Sequence, residues 1–214
     1  AGFYREKSHE LIPISRCRIQ NAAAEEVRRT VVGWMRENRT PAYSEEDGSG
    51  LIRHVYVRTG AVSGQVLACI VAAAEKLPGE RELVASLKAA VPGLTSVVLS
   101  VHKEKGNAVL GREFRNLYGP GTIEDTLCGL TFRLSPQSFY QVNHDQAERL
   151  YACALRLAGL SGKERVLDLY CGTGTITLCL AKEAGEAIGV EIVPAAIDDA
   201  KQNALRNGID NAEF

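Results

Sequence analysis

The sequence predicts an α/β protein: a small α/β domain over residues 1–134, followed over residues 135–214 by the opening part of a Rossmann-like nucleotide-binding domain. Two observations carry this. A strand-like run ending at Asp168 passes through the turn Tyr170-Cys171-Gly172-Thr173-Gly174 into a helix-compatible segment at Thr175. Glycines there let the backbone turn sharply and let a ligand approach the main chain, where a Cβ would collide. Upstream, residues 51–101 read strand, strand, helix, strand between Pro/Gly turns, which gives a small α/β sandwich.

In chain order, residues 1–20 read as a strand pair or an extended lead-in, with Leu11-Ile12-Pro13-Ile14 as its apolar part. Residues 22–38 form a helix, because Asn21 suits an N-cap and Val27, Val31, Trp34 and Met35 recur at helical spacing. Leu51–Thr59 and Gln65–Val71 are strands joined through Gly60 and Gly64. Pro78-Gly79 opens a helix to about Val91, Pro92-Gly93 closes it, and Thr95–Val101 is the next strand. Short strands are expected at 108–110, 113–118, 122–126 and 130–134, with turns at Lys105-Gly106-Asn107, Gly119-Pro120-Gly121 and Cys128-Gly129.

Ser135-Pro136 closes that region. Asn143 or Asp145 caps a helix to about Ala158, and Gly159–Gly162 leads into the strand before the glycine turn. A second strand, Ala187–Val190, ends at Glu191, and a second helix runs from Pro194 to Asn207-Gly208. Glu213-Phe214 opens a third strand. Ala1 as first residue and this unfinished strand predict that both ends are cut from something longer. A parallel sheet left incomplete in this way predicts loose order after about residue 160, or self-association through its exposed edge.

Composition narrows the function classes. The chain has 214 residues, 45% of them hydrophobic, and a net charge of −1. Bulk electrostatics therefore do not drive it to nucleic acid or membrane, although a local basic patch is compatible with these totals. Arg5, Lys7, Arg16, Arg18, Arg53 and Arg58 are candidates for phosphate contacts, or else scattered solvated charges. The longest apolar run, Val66–Ala74, is too short to cross a bilayer, and the charged residues from Arg5 to Glu10 do not read as the apolar stretch of a signal peptide. Six cysteines, at 17, 69, 128, 153, 171 and 179, form no CxxC pair, which points to buried thiols and a cytoplasmic location.

Glu191 lies 23 positions after Asp168, close to the ~20-residue spacing at which an acid accepts ribose hydroxyls in a β-α-β nucleotide unit. The third glycine of a pyrophosphate-binding GxGxxG is replaced here by Thr177. A nucleoside lacking phosphates, such as S-adenosylmethionine, therefore suits the turn better than NAD. A tight strand-to-helix turn without ligand, with Glu191 capping the helix at Pro194, is the plainer alternative. Asp168 is expected to organise the turn by accepting N–H groups, and Cys171 to pack.

The segment Ser138-Phe139-Tyr140-Gln141-Val142-Asn143 ahead of a helix is followed by Asp168-Leu169-Tyr170-Cys171-Gly172-Thr173-Gly174, Gly189-Val190-Glu191 and Asn203-Ala204-Leu205-Arg206-Asn207-Gly208. Together these resemble the bacterial 23S rRNA (uracil-C5)-methyltransferases, S-adenosylmethionine-dependent enzymes that make 5-methyluridine. Gly2-Phe3-Tyr4-Arg5, Cys17 and Leu51-Ile52-Arg53-His54 extend the likeness over essentially the whole chain. It implies that residues 1–134 are the family's central α/β domain. Residues 135–214 would be the truncated N-terminal part of its Rossmann-like S-adenosylmethionine-dependent methyltransferase domain. An OB-like RNA-binding domain would precede Ala1, and the nucleophilic cysteine and carboxylate base would follow Phe214.

The same resemblance implies the site. Glu191 would accept the cofactor's ribose hydroxyls, Tyr170 would pack on the cofactor, and Gln141 would reach its methionine end. Gly172 and Thr175 would supply main-chain and helix-start donors. Cys17 matches the last of four cysteines that hold a [4Fe-4S] cluster in many members, and would be an orphan ligand in this chain. The implied activity is methylation of uracil C5 in 23S rRNA by the parent protein, with residues 1–214 inactive alone. The neighbouring reading is a tRNA uracil-5-methyltransferase, which generally lacks the cluster. A non-catalytic RNA-binding or assembly module with a vestigial nucleotide fold is the reading from another class.

Overall fold

A computed structural model describes residues 2–8, 10–106 and 108–214. The expected turn at 105–107 ends on Asn107, outside the described residues. The chain divides into two compact units, Ala1–Thr59 with Gly64–Ile123, and Gly60–Ser63 with Glu124–Phe214.

The first unit opens with an antiparallel pair, β1 (Gly2–Tyr4) and β2 (Leu11–Pro13). In α1 (Ala22–Glu37) the Asn21 side chain accepts the Ala23 N–H at 2.8 Å, occupying a donor that has no partner within the helix. Val27, Val31 and Trp34 make its buried stripe. The strands β3 (Ile52–Thr59), β4 (Val66–Ala72), β5 (Leu94–Val101) and β6 (Glu113–Tyr118) form one sheet in the order β3-β4-β5-β6. Only β4 and β5 are parallel, and parallel neighbours need a long crossover, supplied by α2 (Glu80–Ala90). Every residue of β4 is buried, which is why its sequence is a continuous apolar run instead of an alternation. Val27, Val31, Trp34, Leu83 and Leu87 of the helices pack with Ala68, Ile70, Val97 and Leu99 in one core.

Two expectations fail in this unit. Residues 108–110 form no strand. The next backbone donor, Gly111 N–H, is taken by the Ser100 hydroxyl at 2.9 Å, and a Cβ at Gly111 would lie 1.8 Å from the Val101 carbonyl oxygen. The chain there crosses against the end of β5 instead of pairing along it. Arg53 is not a phosphate contact either. Its side chain is fully buried, paired with Glu45, bonded to the His102 and Glu104 carbonyls and stacked over the Tyr43 ring. Arg58 is likewise buried and donates to the Tyr56 hydroxyl at 2.7 Å. Arg5, Lys7, Arg16 and Arg18 do lie on the surface.

The second unit carries the hairpin β7 (Ile123–Leu127) and β8 (Leu130–Leu134). Its turn residues Cys128 and Gly129 both have positive φ, as a two-residue type I′ hairpin loop requires. Asp125 is buried, and its carboxylate accepts the N–H groups of Ala61, Val62 and Ser63. Then come α3 (His144–Ala158), β9 (Arg165–Asp168), α4 (Thr175–Ala181), β10 (Glu186–Gly189), α5 (Pro194–Arg206) and β11 (Ala212–Glu213). Asn143, not Asp145, caps α3. The three strands are parallel in the order β11-β10-β9, with α4 packed on them. No helix among the described residues is long and apolar enough to cross a membrane.

Leu99 is fully buried in the first unit's core. Leu99→Ala should cost about 2–5 kcal/mol in urea unfolding, through lost apolar burial plus the cavity left behind. A loss under about 0.5 kcal/mol, the size typical of surface changes, would show that the core is not packed as described.

Candidate functional site

The site is built at the carboxyl ends of β9 and β10, where an open parallel sheet presents free main-chain groups to a ligand. Asp168 ends β9. One of its carboxylate oxygens accepts the Tyr170 N–H at 3.4 Å, and the other accepts the Thr177 hydroxyl at 2.6 Å. Asp168 thus organises the turn as expected, and Thr177 has a use that the sequence did not reveal. It replaces the third glycine of a pyrophosphate motif, and its hydroxyl ties the first turn of α4 back to the strand end.

Gly172 and Gly174 have φ of 53° and 82°, in the left-handed region where a side chain is costly. The Gly174 N–H donates to the Cys171 carbonyl at 2.9 Å, and the Cys171 N–H donates to Val190 at 3.1 Å. A Cβ at Gly172 would meet nothing within 4 Å, so the turn is open on that side.

Glu191 follows β10 and meets this turn. One oxygen accepts the Gly172 N–H at 3.2 Å, and the other accepts those of Ile192 and Val193 at 2.8 and 3.0 Å. The carboxylate therefore braces the lead-in to α5, as the plainer alternative holds, and also sits against the glycine turn. Two oxygens offer about four lone-pair directions, so three N–H donors leave acceptor capacity for a hydroxyl.

The other expected residues divide. Tyr170 is on the same turn and is 90% exposed, so it is not a core tyrosine. The Thr175 hydroxyl shares a hydrogen bond with the Tyr151 hydroxyl of α3 at 2.9 Å, which ties α4 to α3. Gln141 is half-buried in the loop before α3, and its side chain makes no hydrogen bond among the described residues. That loop is fixed beside it by Ser138, whose hydroxyl donates to Asp199 of α5 at 3.0 Å.

Cys171 is buried. A Cβ at Gly189 would lie 2.9 Å from its sulfur and 2.6 Å from the Phe214 ring, and one at Gly174 would lie 3.0 Å from the same ring. Burial pushes the Cys171 thiol up to about 11, so it packs under the turn as a neutral group. Cys17 is partly exposed, and among the described residues no three His, Cys, Asp or Glu come together to hold a metal ion. The four-thiolate set of an iron–sulfur cluster is not assembled by these residues. Asn203 of α5 belongs to a segment that carries the resemblance but was given no role from sequence; its amide is buried and donates to the Thr173 carbonyl at 3.2 Å.

This strand–glycine turn–helix unit, with an acid after the second strand, is a methyltransferase-like α/β fold. A family profile described as "Methyltransferase domain" matches residues 160–214. The whole chain is similar to proteins named as uncharacterized RNA methyltransferases. The one from Clostridium acetobutylicum is 42% identical over 213 residues, covering 100% of this chain and 46% of that protein. The one from Lactiplantibacillus plantarum is 45% identical, covering 100% and 47%. The chain thus spans about half the length of the curated relatives it matches. Among solved structures it is similar to the tRNA (uracil-54, C5)-methyltransferase of Pyrococcus abyssi in complex with S-adenosyl-L-homocysteine. The TM-score is 0.81 and the identity 25%, over 99% of this chain and 50% of that one.

The Asp168–Thr177 bond gives a direct test of how the turn is held. Thr177→Val keeps the shape and removes the hydroxyl from a carboxylate, which should cost about 1.5–3 kcal/mol in chemical unfolding. Thr177→Ser retains the donor and should recover most of that loss. Equal losses in both variants would assign the effect to packing.

Proposed function

We propose that this chain carries the cofactor-binding part of an S-adenosylmethionine-dependent RNA methyltransferase that modifies uracil C5, with 23S rRNA as substrate. The observation that carries the reading is the Glu191 carboxylate set against the Gly172 N–H at the ends of adjacent parallel strands, beside a turn that is open at Gly172. Such an acceptor suits a ribose diol. The similarity to proteins named as RNA methyltransferases, over the whole chain, supports the RNA substrate class.

In this reading Glu191 accepts the ribose hydroxyls, and the exposed Tyr170 ring packs on the cofactor. Gln141 supplies an amide toward the methionine end. Gly172 and Thr175 line the turn through their main chain. When bound, the cofactor supplies a methyl group made electrophilic by the sulfonium it leaves.

Uracil C5 is a poor nucleophile until a thiolate adds at C6, and a base must afterwards remove the C5 proton so that the thiolate can leave. The target base must also be unstacked from its RNA to be reached. Burial raises the thiols of Cys69 and Cys179 to about 12 and also raises that of Cys128. With Cys171 packed under the turn, these four are poor candidates for the nucleophile. Cys153 lies within α3 and Cys17 is the cluster position of the resemblance, so we assign that role to a cysteine outside residues 1–214. A tRNA substrate is the second reading, favoured by the likeness to the Pyrococcus abyssi enzyme.

Two measurements test this. Glu191→Ala should weaken S-adenosylmethionine binding at least about tenfold by calorimetric titration, since each hydrogen bond to a charged acceptor contributes ~1.5–3 kcal/mol. Unchanged affinity removes Glu191 from the site. With S-adenosylmethionine present, RNA carrying 5-fluorouridine traps a covalent adduct once a thiol has added at C6 and the methyl has moved to C5, because fluorine takes the place of the proton that must leave. Residues 1–214 should give no denaturation-resistant adduct with either 23S rRNA or tRNA fragments, whereas a protein of the relatives' full length should give one with 23S rRNA. An adduct from residues 1–214 would place the nucleophile among these six cysteines, and one formed on tRNA alone would favour the second reading.

A further inference from the structure

Two asparagines on α5 treat the edge of β8 as if the helix were another strand. The Asn207 side chain accepts the Thr131 N–H at 2.8 Å and donates to the Thr131 carbonyl at 2.7 Å. One helical turn earlier, Asn203 accepts the Arg133 N–H at 2.8 Å. The register is geometric. Four residues of helix rise about 6 Å and two residues of strand about 6.6 Å, so amides at i and i+4 meet main-chain groups at j and j+2.

The two amides differ in one respect. Both of Asn207's bonds to the strand are to Thr131, whereas Asn203 turns its NH2 the other way, to the Thr173 carbonyl at 3.2 Å. Its partners are one N–H and one C=O, so only one orientation of the amide satisfies both. Asn203 and Thr173 are both buried, so neither main-chain group has water as a substitute.

Thr173 stands between the two left-handed glycines, in the most permissive part of the chain. The peptide joining Thr173 to Gly174 is held at both ends: its carbonyl by Asn203 and its N–H by the Cys171 carbonyl. A second side-chain tie to a distant element, the Gly172–Glu191 bond, faces the proposed ligand and shares its acceptor with it. The Asn203 bond is buried and shares nothing with the ligand.

We propose that Asn203 is a positioning residue of the cofactor turn, locking the Thr173–Gly174 peptide to the edge of β8 so that the turn keeps its shape when Glu191 turns to the ribose. This deepens the cofactor assignment above and rests on it. Asn207 holds the same edge without touching the turn, which makes it a matched control.

The test uses Asn203→Asp and Asn207→Asp, each of which keeps an acceptor for the strand N–H and turns a carboxylate oxygen toward a carbonyl. Thermal unfolding should show comparable destabilisation in the two. S-Adenosylhomocysteine affinity, measured by calorimetry at a fixed interval below each midpoint, should fall at least about tenfold in Asn203→Asp, the size of one lost hydrogen bond, and stay within about twofold in Asn207→Asp. Equal affinities in wild type and Asn203→Asp, or equal losses in both variants, would overturn the proposal. A wild-type protein that binds no S-adenosylhomocysteine overturns the cofactor assignment and this inference together. Should Asn203→Asp fail to fold, wild-type NMR decides. The Asn203 side-chain amide resonances should shift on titration with S-adenosylhomocysteine while those of Asn207 stay in place, and the reverse pattern, or no shift in either, sinks the idea.

Discussion

The second unit depends on one constraint: a short turn that must stay in a left-handed conformation at Gly172 and Gly174 while exposing main-chain donors. Glycine makes that conformation accessible but does not select it, because an unrestrained glycine loses more entropy on ordering than any other residue. Selection comes from outside the turn. Asp168 takes the Tyr170 N–H and the Thr177 hydroxyl, Glu191 takes the Gly172 N–H, and Asn203 takes the Thr173 carbonyl. These four bonds come from three places in the chain. The turn is therefore a product of the unit's tertiary structure and not a local motif that folds by itself.

This explains which parts of the molecule were legible in the sequence. Elements governed by local rules read well. Asn21 caps α1, Pro194 opens α5, and the Cys128-Gly129 turn sits between strands whose far ends fall within a residue of expectation. The apolar periodicity at Val27, Val31 and Trp34 marks the buried side of α1 because helix geometry alone places those residues together. The sheet over residues 52–101 also followed from the pattern, since an apolar run such as β4 has to be buried on both faces.

What stayed hidden was set by partners distant in sequence. Arg53 carries the same charge as Arg16, yet Glu45, Tyr43 and two carbonyls enclose it, and none of these is marked by spacing. Residues 108–110 have strand-like composition but lose their ladder to the Ser100 hydroxyl and the close approach at Gly111. At the site, the spacing from Asp168 to Glu191 placed the acid correctly at the end of the next strand. It could not show that the carboxylate already holds three N–H groups. Asn203 and Asn207 stood in the sequence only as part of a family-like segment, and their use needed the strand edge beside them.

The ring of Phe214 occupies the space that side chains at Gly174 and Gly189 would fill. Three positions spread over about a fifth of the sequence therefore share one volume, and they are expected to drift as a set among descendants of this chain. A lineage that acquires alanine at 189 can keep its sheet flat against the turn only by accepting a smaller residue at 214. The reverse order of change leaves a void that either position can later refill. Substitution histories at these sites should be correlated, and the correlation should be strongest between 189 and 214, where the approach is closest.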